Sequence, residues 1–207
     1  MKRTRIKFCG ITRHEDVQHA SFLGVDAIGF VFSPDSPRSI DVQHACTLSS
    51  HSGAFMTRVG LFMNQDAGTI NSVIREVPLD LLQFHGTESE EFCCSFGMPY
   101  IKSIAMGGRD RLSSSPGYDS ATALLFDSNE IGQPGGSGKQ FDWDMLPDLN
   151  RPIILAGGLD QSNVAEAINK LKPYAVDVSS GIEIDKGVKD QYKMNEFVKS
   201  VRKADEC

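Results

Sequence analysis

The 207-residue sequence has no long hydrophobic run, no Lys/Arg-rich segment and no CxxC motif. Because no apolar stretch approaches the ~18 residues of a membrane-spanning helix, we expect a soluble protein with no membrane partner. The 27 acidic residues outnumber the 21 basic ones, which gives a net charge of −6. An acidic chain without a basic run is poorly suited to nucleic acid, so we expect no such partner.

The N-terminus and the cysteines both indicate a cytoplasmic protein. The basic start MKRTRIKFCGITR is not followed by the apolar segment of a secretory signal. The cysteines are odd in number, and two of them are adjacent, which is typical of reduced thiols. The five histidines show no spacing that puts two ligands on one helical face, so no metal site is expected.

Short continuous apolar runs alternate with segments of helical periodicity. Continuous rather than alternating hydrophobicity is typical of parallel strands that are covered on both faces. Eight strands are predicted, at Ile6–Ile11, Ala27–Phe32, Thr57–Met63, Leu79–His85, Tyr100–Met106, Ala121–Asp127, Pro152–Gly157 and Ala175–Ser180. The clearest helices are predicted at Glu15–Leu23, Asp66–Glu76, Glu88–Phe96, Gln161–Leu171 and Val188–Lys203.

This alternation predicts an α/β fold, and eight strands are the number that closes a (β/α)8 TIM barrel. A doubly wound open sheet is the alternative, because strand order cannot be read from one sequence. No linker or change of composition divides the chain, so residues 1–207 are expected to form a single barrel domain. The two longest intervals between strands follow the second and the sixth, at the end of the barrel where active sites form.

Cys9 and Asp127 are the candidate catalytic residues, because each ends a predicted strand at that end of the barrel. A cysteine is more often a buried core residue, and such an aspartate often caps a helix or a turn. At one barrel mouth, however, the two groups could face each other across a substrate, as general acid–base catalysis requires. Cys9 would react only as a thiolate, which needs a nearby cation or helix N-terminus.

Other polar residues are predicted near the same mouth. Arg38 lies in the loop SPDSPRSI, which two prolines stiffen, so its guanidinium could bind a carboxylate in bidentate fashion rather than stay solvated. Gln83 and His85 alternate on the fourth strand and therefore point to the same side. They either form hydrogen bonds within the barrel or touch substrate, and a supporting role is favoured. Asp177 on the eighth strand presents the same choice.

Three glycine-rich segments follow the sixth, seventh and eighth predicted strands. Each alone is a weak signal, but together they match the phosphate site of barrel enzymes, where backbone N–H groups bind the anion. A P-loop is excluded, because Gln133 and Gln140 stand where that motif needs Gly and Ser or Thr. The candidate phosphate-binding residues are Gly136, Ser137, Gly138, Gly157, Gly158, Ser180 and Gly181.

Eight segments closely resemble the phosphoribosylanthranilate isomerases of tryptophan biosynthesis, in that family's order and over nearly the whole chain. They are IKFCGIT, SPRSI, VGLF, LLQFHG, LLFDS, GGSGKQFDW, ILAGGL and DVSSGIE. The resemblance implies a (β/α)8 barrel. It also implies an Amadori rearrangement that converts N-(5-phosphoribosyl)anthranilate to 1-(2-carboxyphenylamino)-1-deoxyribulose 5-phosphate.

The same resemblance implies a role for each candidate residue. Asp127 would be the general acid that protonates the furanose ring oxygen, and Cys9 the general base that removes the proton on C2. Arg38 would bind the anthranilate carboxylate, and the glycine-rich segments would hold the phosphate. No cofactor is implied, because the substrate nitrogen acts as the electron sink. The family contains monomers and homodimers, and the sequence does not choose between them.

Three alternatives stay open. A transferase of the thiamine-phosphate-synthase type would share the barrel and phosphate site, but it should bring carboxylates for Mg²⁺, and the sequence shows no such cluster. The related sugar-phosphate isomerase of histidine biosynthesis is expected to carry a pair of aspartates, whereas this chain has Cys9. A catalytically inactive phosphate-binding module is disfavoured by the presence of both Cys9 and Asp127.

Overall fold

A computed structural model describes residues 3–107, 117–130, 140–146 and 149–206. Eight parallel strands follow one another in chain order, and the last pairs with the first, so the sheet closes into a barrel. This result confirms the predicted (β/α)8 barrel and excludes the open sheet. The strands are β1 Arg5–Cys9, β2 Ala27–Val31, β3 Thr57–Phe62, β4 Leu81–Phe84, β5 Tyr100–Ala105, β6 Ala123–Asp127, β7 Ile153–Leu155 and β8 Ala175–Val178.

Helices surround the barrel, and a small hairpin follows its last strand. Within the described residues the α-helices are α1 His14–Leu23, α2 Val42–Ser49, α3 Ala67–Glu76, α4 Glu90–Cys94, α5 Val164–Leu171 and α6 Gln191–Asp205. The hairpin pairs β9 Glu183–Asp185 with β10 Val188–Lys189 in antiparallel fashion, and short 3₁₀ helices span Trp143–Met145 and Ser180–Ile182. No helix among the described residues combines the length and hydropathy of a membrane span.

The prediction of a helix from Val188 to Lys203 was wrong at its start. Val188 and Lys189 belong to β10, and the helix begins only at Gln191. The Asp190 carboxylate marks the boundary, because it accepts a hydrogen bond of 2.9 Å from the backbone N–H of Lys193 and so caps the helix. A strand and a helix that follow each other without a break share one apolar pattern, so periodicity alone did not separate them.

Several predicted strands are shorter in the structure. The clearest case is the predicted strand Pro152–Gly157, which pairs only over Ile153–Leu155. Gly157 and Gly158 have φ angles of +84° and +65°, in the left-handed region that strands do not use. The chain therefore turns at the barrel mouth instead of continuing past it.

Side-chain alternation along the strands produces two hydrophobic layers. A small inner cluster fills the lower barrel and includes Leu125 and Ile154. A larger outer cluster packs the strands against the helices. Five of the fully buried phenylalanines in that outer layer lie on strands: Phe8, Phe30, Phe62, Phe84 and Phe126. Because neighbours in a strand point to opposite faces, Phe8 and Phe126 in the outer layer leave Cys9 and Asp127 facing inward.

Phe84 provides a test of the outer layer. Its ring lies 5.7 Å from the ring of Phe96 and 5.8 Å from that of Tyr100, between centroids. We expect Phe84→Ala to lower the free energy of unfolding by about 3–5 kcal/mol, since the surrounding side chains cannot move far enough to fill the cavity that the ring leaves. Urea denaturation measures this loss. Phe22→Ala removes an exposed ring and should change stability by less than about 0.5 kcal/mol. Equal losses in both variants would contradict the packing described here.

Candidate active site

An open cleft with about 700 Å³ of free space lies at the carboxyl ends of the strands. Most of the residues predicted from the sequence line it, so the closed barrel brings distant segments to one place. The lining residues are Cys9, Val31, Ser33, Ser36, Arg38, Leu61, Met63, Gln83, His85, Asp127, Ala156, Gly157, Gly158, Leu159, Asp177, Val178, Ser179 and Ser180.

Cys9 is the last residue of β1, and it is 7% exposed. Burial raises its pKa, and the ammonium group of Lys7 opposes that rise. The two side chains lie on the same face of β1, and both reach the space left open by Gly29. A Cβ atom on Gly29 would lie 3.0 Å from Cys9 Sγ and 3.2 Å from Lys7 Nζ. Lys7 therefore supplies the cation that a reactive thiol requires.

Asp127 ends β6, and its carboxyl group is also buried in the cleft. Burial, with the nearby negative charge of Asp177, raises its pKa to about 6. The backbone N–H of Asn129 donates to Oδ1 at 3.3 Å, which only partly offsets the desolvation. At pH 7 this carboxyl group is therefore still protonated in roughly a tenth of the molecules, which a general acid needs and an ordinary aspartate does not provide.

His85 and Gln83 lie on the cleft wall formed by β4. The amide nitrogen of Asn129 donates to His85 Nε2 at 3.1 Å, which places the proton of the neutral ring on Nδ1. Burial and the charge of Lys102 lower the His85 pKa to about 4, so the ring is neutral. His85 Nε2 lies 3.9 Å from Asp127 Oδ2. Among the described residues, neither His85 Nδ1 nor Gln83 Oε1 has a hydrogen-bond partner.

Arg38 is buried rather than solvated, and it is held by a residue that the sequence did not single out. Its Nε and Nη2 atoms donate to the two carboxylate oxygens of Glu183 at 2.8 and 2.7 Å. Lys189 Nζ donates to the same carboxylate at 2.7 Å and to the Cys9 carbonyl oxygen at 2.6 Å. Glu183 and Lys189 were missed because only the folded hairpin brings their side chains to Arg38 and to the end of β1.

The loops after β7 and β8 contribute backbone N–H groups. Those of Gly157, Gly158 and Ser180 donate to no acceptor within the described part of the chain. Gly157 and Gly158 both have positive φ, in the left-handed region that glycine adopts most easily, so the chain turns tightly where it lines the cleft. Gly181 does not line the cleft. It packs so closely against the Leu159 carbonyl group that a side chain at this position would overlap the carbonyl oxygen. The predicted residues Gly136, Ser137 and Gly138 lie outside the described residues.

A parallel barrel with a buried thiol, a buried carboxyl group and free N–H groups at one mouth is typical of a barrel enzyme that acts on a phosphorylated small molecule. The family model described as N-(5'phosphoribosyl)anthranilate (PRA) isomerase matches residues 6–200. The chain belongs to this family, as its sequence motifs indicated.

Curated relatives agree with this assignment. An N-(5'-phosphoribosyl)anthranilate isomerase of Nitrosococcus oceani is 49% identical over 201 residues, which are 96% of this chain and 98% of that protein. The isomerase of Stenotrophomonas maltophilia (strain K279a) is 48% identical over 207 residues, which are 98% of this chain and 95% of that protein.

Solved structures agree as well. The isomerase of Thermus thermophilus superposes with a TM-score of 0.84 at 35% identity and covers 97% of this chain and 99% of its own. A second isomerase, in complex with reduced 1-(o-carboxyphenylamino)-1-deoxyribulose 5-phosphate, gives a TM-score of 0.82 at 33% identity, with coverage of 97% and 99%. A thiamine phosphate pyrophosphorylase of Pyrococcus furiosus, at 15% identity and a TM-score of 0.68, shares the fold alone and does not favour the transferase alternative.

The raised Asp127 pKa makes stability depend on pH. Because the folded-state value of about 6 exceeds the ordinary 3.8, the stability contributed by protonation is complete below pH 4 and is lost as pH rises through 6. Asp127→Asn removes this ionisation. Relative to wild type, we expect the variant to gain stability of order 2 kcal/mol between pH 4 and pH 7. Chemical denaturation at both pH values measures the gain, and a pH-independent difference would contradict the assignment.

Proposed function

We propose that this chain converts N-(5'-phosphoribosyl)anthranilate to 1-(2-carboxyphenylamino)-1-deoxyribulose 5-phosphate, in tryptophan biosynthesis. One observation carries the proposal: a buried carboxyl group that is partly protonated near neutrality and a buried thiol beside an ammonium group share a single cleft. Proton donation at one atom and proton removal at another is the chemistry that an Amadori rearrangement requires. Membership of the isomerase family supports the same reaction.

The first step opens the ribose ring. Asp127 donates its proton to the furanose ring oxygen while the bond between C1 and that oxygen breaks. The lone pair of the anilino nitrogen forms a double bond to C1, so the intermediate is a protonated Schiff base. A carboxyl group with a pKa of about 6 gives up a proton far more readily than a hydroxyl group, yet is still partly protonated at neutral pH.

The second step moves a proton from carbon. The Cys9 thiolate removes the proton on C2, and the electron pair of that bond flows through C1 into the positively charged nitrogen. The resulting enolamine takes up a proton at C1 and loses the proton of the 2-hydroxyl group, which gives the ketose. The substrate nitrogen accepts the electrons, so we propose that the reaction needs no cofactor.

Two ends of the cleft are proposed to hold the substrate. Glu183 accepts from the Nε and Nη2 atoms of Arg38, and Nη1, which has no partner among the described residues, would donate to the anthranilate carboxylate. Apolar side chains that line the same cleft, including Leu61 and Met63, would provide a surface for the benzene ring. The free N–H groups near Gly158 and Ser180 would bind the phosphate at the opposite end. The sugar then lies between the acid and the base.

The remaining properties belong to the same proposal. We propose a cytoplasmic enzyme with a small-molecule substrate and no nucleic-acid partner, in keeping with the net charge of −6. The isomerase of Thermotoga maritima is described as dimeric, and a monomer or a homodimer is proposed here. Gln83, His85 and Asp177 are proposed as supporting residues, because all three line the cleft.

Two substitutions test the proton-transfer roles. Asp127→Asn cannot donate a proton, and Cys9→Ser presents a hydroxyl that scarcely ionises near neutrality. We expect each to lower kcat by roughly 10²–10⁴-fold, the usual contribution of a positioned acid or base. Turnover is followed by the change in anthranilate fluorescence with freshly made substrate. Cys46→Ser removes a thiol outside the cleft and should leave kcat unchanged. Near-full kcat in Cys9→Ser would contradict its role as the base.

Arg38→Ala tests substrate binding separately from chemistry. The carboxylate lies away from the reacting C1–C2 bond and binds similarly in the ground and transition states, so the variant should mainly raise KM. The effect should shrink with a substrate analogue whose benzene ring lacks the carboxylate. Arg58→Ala, at a salt bridge with Asp80 outside the cleft, is the control and should leave KM unchanged. Loss of kcat without a rise in KM would show that Arg38 acts elsewhere.

A further inference from the structure

A buried ion pair lies beneath the two reacting groups. Lys7 on β1 and Asp177 on β8 are direct partners in the strand register. Lys7 Nζ lies 3.0 Å from each oxygen of the Asp177 carboxylate, and both side chains are almost completely buried. Asp177 lines the cleft, whereas Lys7 does not. The ammonium group therefore does not contact a substrate in the cleft and can act only through its neighbours.

Stability does not explain this pair. Below it, the barrel interior is apolar, with Ile101, Leu125 and Ile154 among its residues. Desolvation of two charges costs several kcal/mol per ion, and apolar residues of similar volume commonly replace such a pair without loss of stability. An ion pair at this level of the barrel therefore suggests a role in the reaction rather than in folding.

Among the described residues, Lys7 has the largest electrostatic influence on the Cys9 thiol. Lys7 Nζ and Cys9 Sγ both border the space beside Gly29. From the other elements, Asp177, Arg38 and Lys189 face Cys9, and Lys189 bonds the Cys9 carbonyl oxygen rather than the sulfur.

The carboxyl group has a different set of charged neighbours. Asp127 is faced by the carboxylate of Asp177 and, more weakly, by Lys7. Among the described residues, His85 is a further titratable neighbour; it lies 3.9 Å away and is neutral. The pair thus presents its positive end mainly to the base and its negative end mainly to the acid.

We propose that the buried Lys7–Asp177 ion pair sets the protonation states of the two reacting groups: its ammonium favours the thiolate of Cys9, and its carboxylate favours the protonated form of Asp127. Lys7 is then a positioning residue that never touches the substrate. The inference rests on the proposed function, since it assigns the pair to that acid and that base. Burial alone favours the protonated form of both groups, which suits the acid but not the base. The ion pair would therefore select the thiolate of Cys9 and the protonated form of Asp127 at the same time.

The directions of the pKa shifts support this division. Burial raises the pKa of Cys9, and Lys7 is the largest influence that lowers it. For Asp127, the negative charge of Asp177 is the largest influence after burial that raises the pKa. Removing Lys7 should therefore raise both values, whereas removing the charge of Asp177 should lower both.

The experiment compares Lys7→Met with Asp177→Asn. Alkylation of Cys9 by iodoacetamide, followed across pH by mass spectrometry of the peptide that contains Cys9, reports the thiolate directly and needs no substrate. At pH 8 we expect the Cys9 alkylation rate to fall about tenfold in Lys7→Met and to rise in Asp177→Asn. The pH profile of kcat/KM should be bell-shaped, because turnover needs the ionised thiol and the protonated carboxyl group. Both limbs of that profile should move to higher pH in Lys7→Met and to lower pH in Asp177→Asn.

Lys102→Met is the matched control. Lys102 is equally buried and lies 3.0 Å from Glu88, but it borders neither Cys9 nor the cleft. We expect its substitution to leave the alkylation profile of Cys9 unchanged, although it also removes a buried lysine from an ion pair. A similar fall in both lysine variants would overturn the proposal, because it would reflect general loosening of the barrel.

The remaining outcomes are also decisive. Should Lys7→Met fail to fold, Asp177→Asn decides alone: a shift to lower pH supports the proposal and an unchanged profile overturns it. If a folded Lys7→Met shows an unchanged alkylation profile, the proposal is wrong even when the isomerase is active. Wild-type protein that alkylates as expected but does not turn over phosphoribosylanthranilate would instead refute the proposed function.

Discussion

The pairing of β8 with β1 is the contact on which the site depends. It closes the barrel and sets Lys7 opposite Asp177 across the seam. It also brings the loop after the last strand beside the end of the first, so that the Ser179 hydroxyl reaches the Cys9 carbonyl oxygen at 3.0 Å. An open sheet would separate these residues. The thiol, its charged neighbours and the backbone N–H groups after β8 therefore share one mouth only because the sheet closes.

Exclusion of water gives the site its chemistry, and it acts on the two candidate residues in different ways. Burial raises the pKa of a carboxyl group, so the group still carries a proton near neutrality, which a general acid needs. Burial also raises the pKa of a thiol, so less of it is present as the thiolate that a general base must be. Burial of both groups is therefore productive only where a cation lies beside the thiol, because charges interact most strongly where water is scarce.

The eight strands and the barrel were predictable because parallel strands carry continuous apolar runs. Cys9 and Asp127 were found because each ends such a run at the catalytic edge. Lys7 was not recognised, although a lysine at an inward position two residues before Cys9 was a usable signal. Glu183 could not be predicted, because its partner Arg38 lies far away along the chain and only the folded hairpin brings them together.

The hairpin links the proposed carboxylate-binding residue, Arg38, to the proposed base, Cys9. The Glu183 carboxylate fixes two donor atoms of Arg38, so the guanidinium is held in one orientation before any ligand arrives, and less side-chain entropy is lost on binding. Lys189 joins that carboxylate to the carbonyl oxygen of Cys9. One ion network therefore fixes the Arg38 side chain and the end of the strand that carries the thiol. The distance between the proposed carboxylate site at Arg38 and the Cys9 thiol is then set by the fold rather than by a substrate.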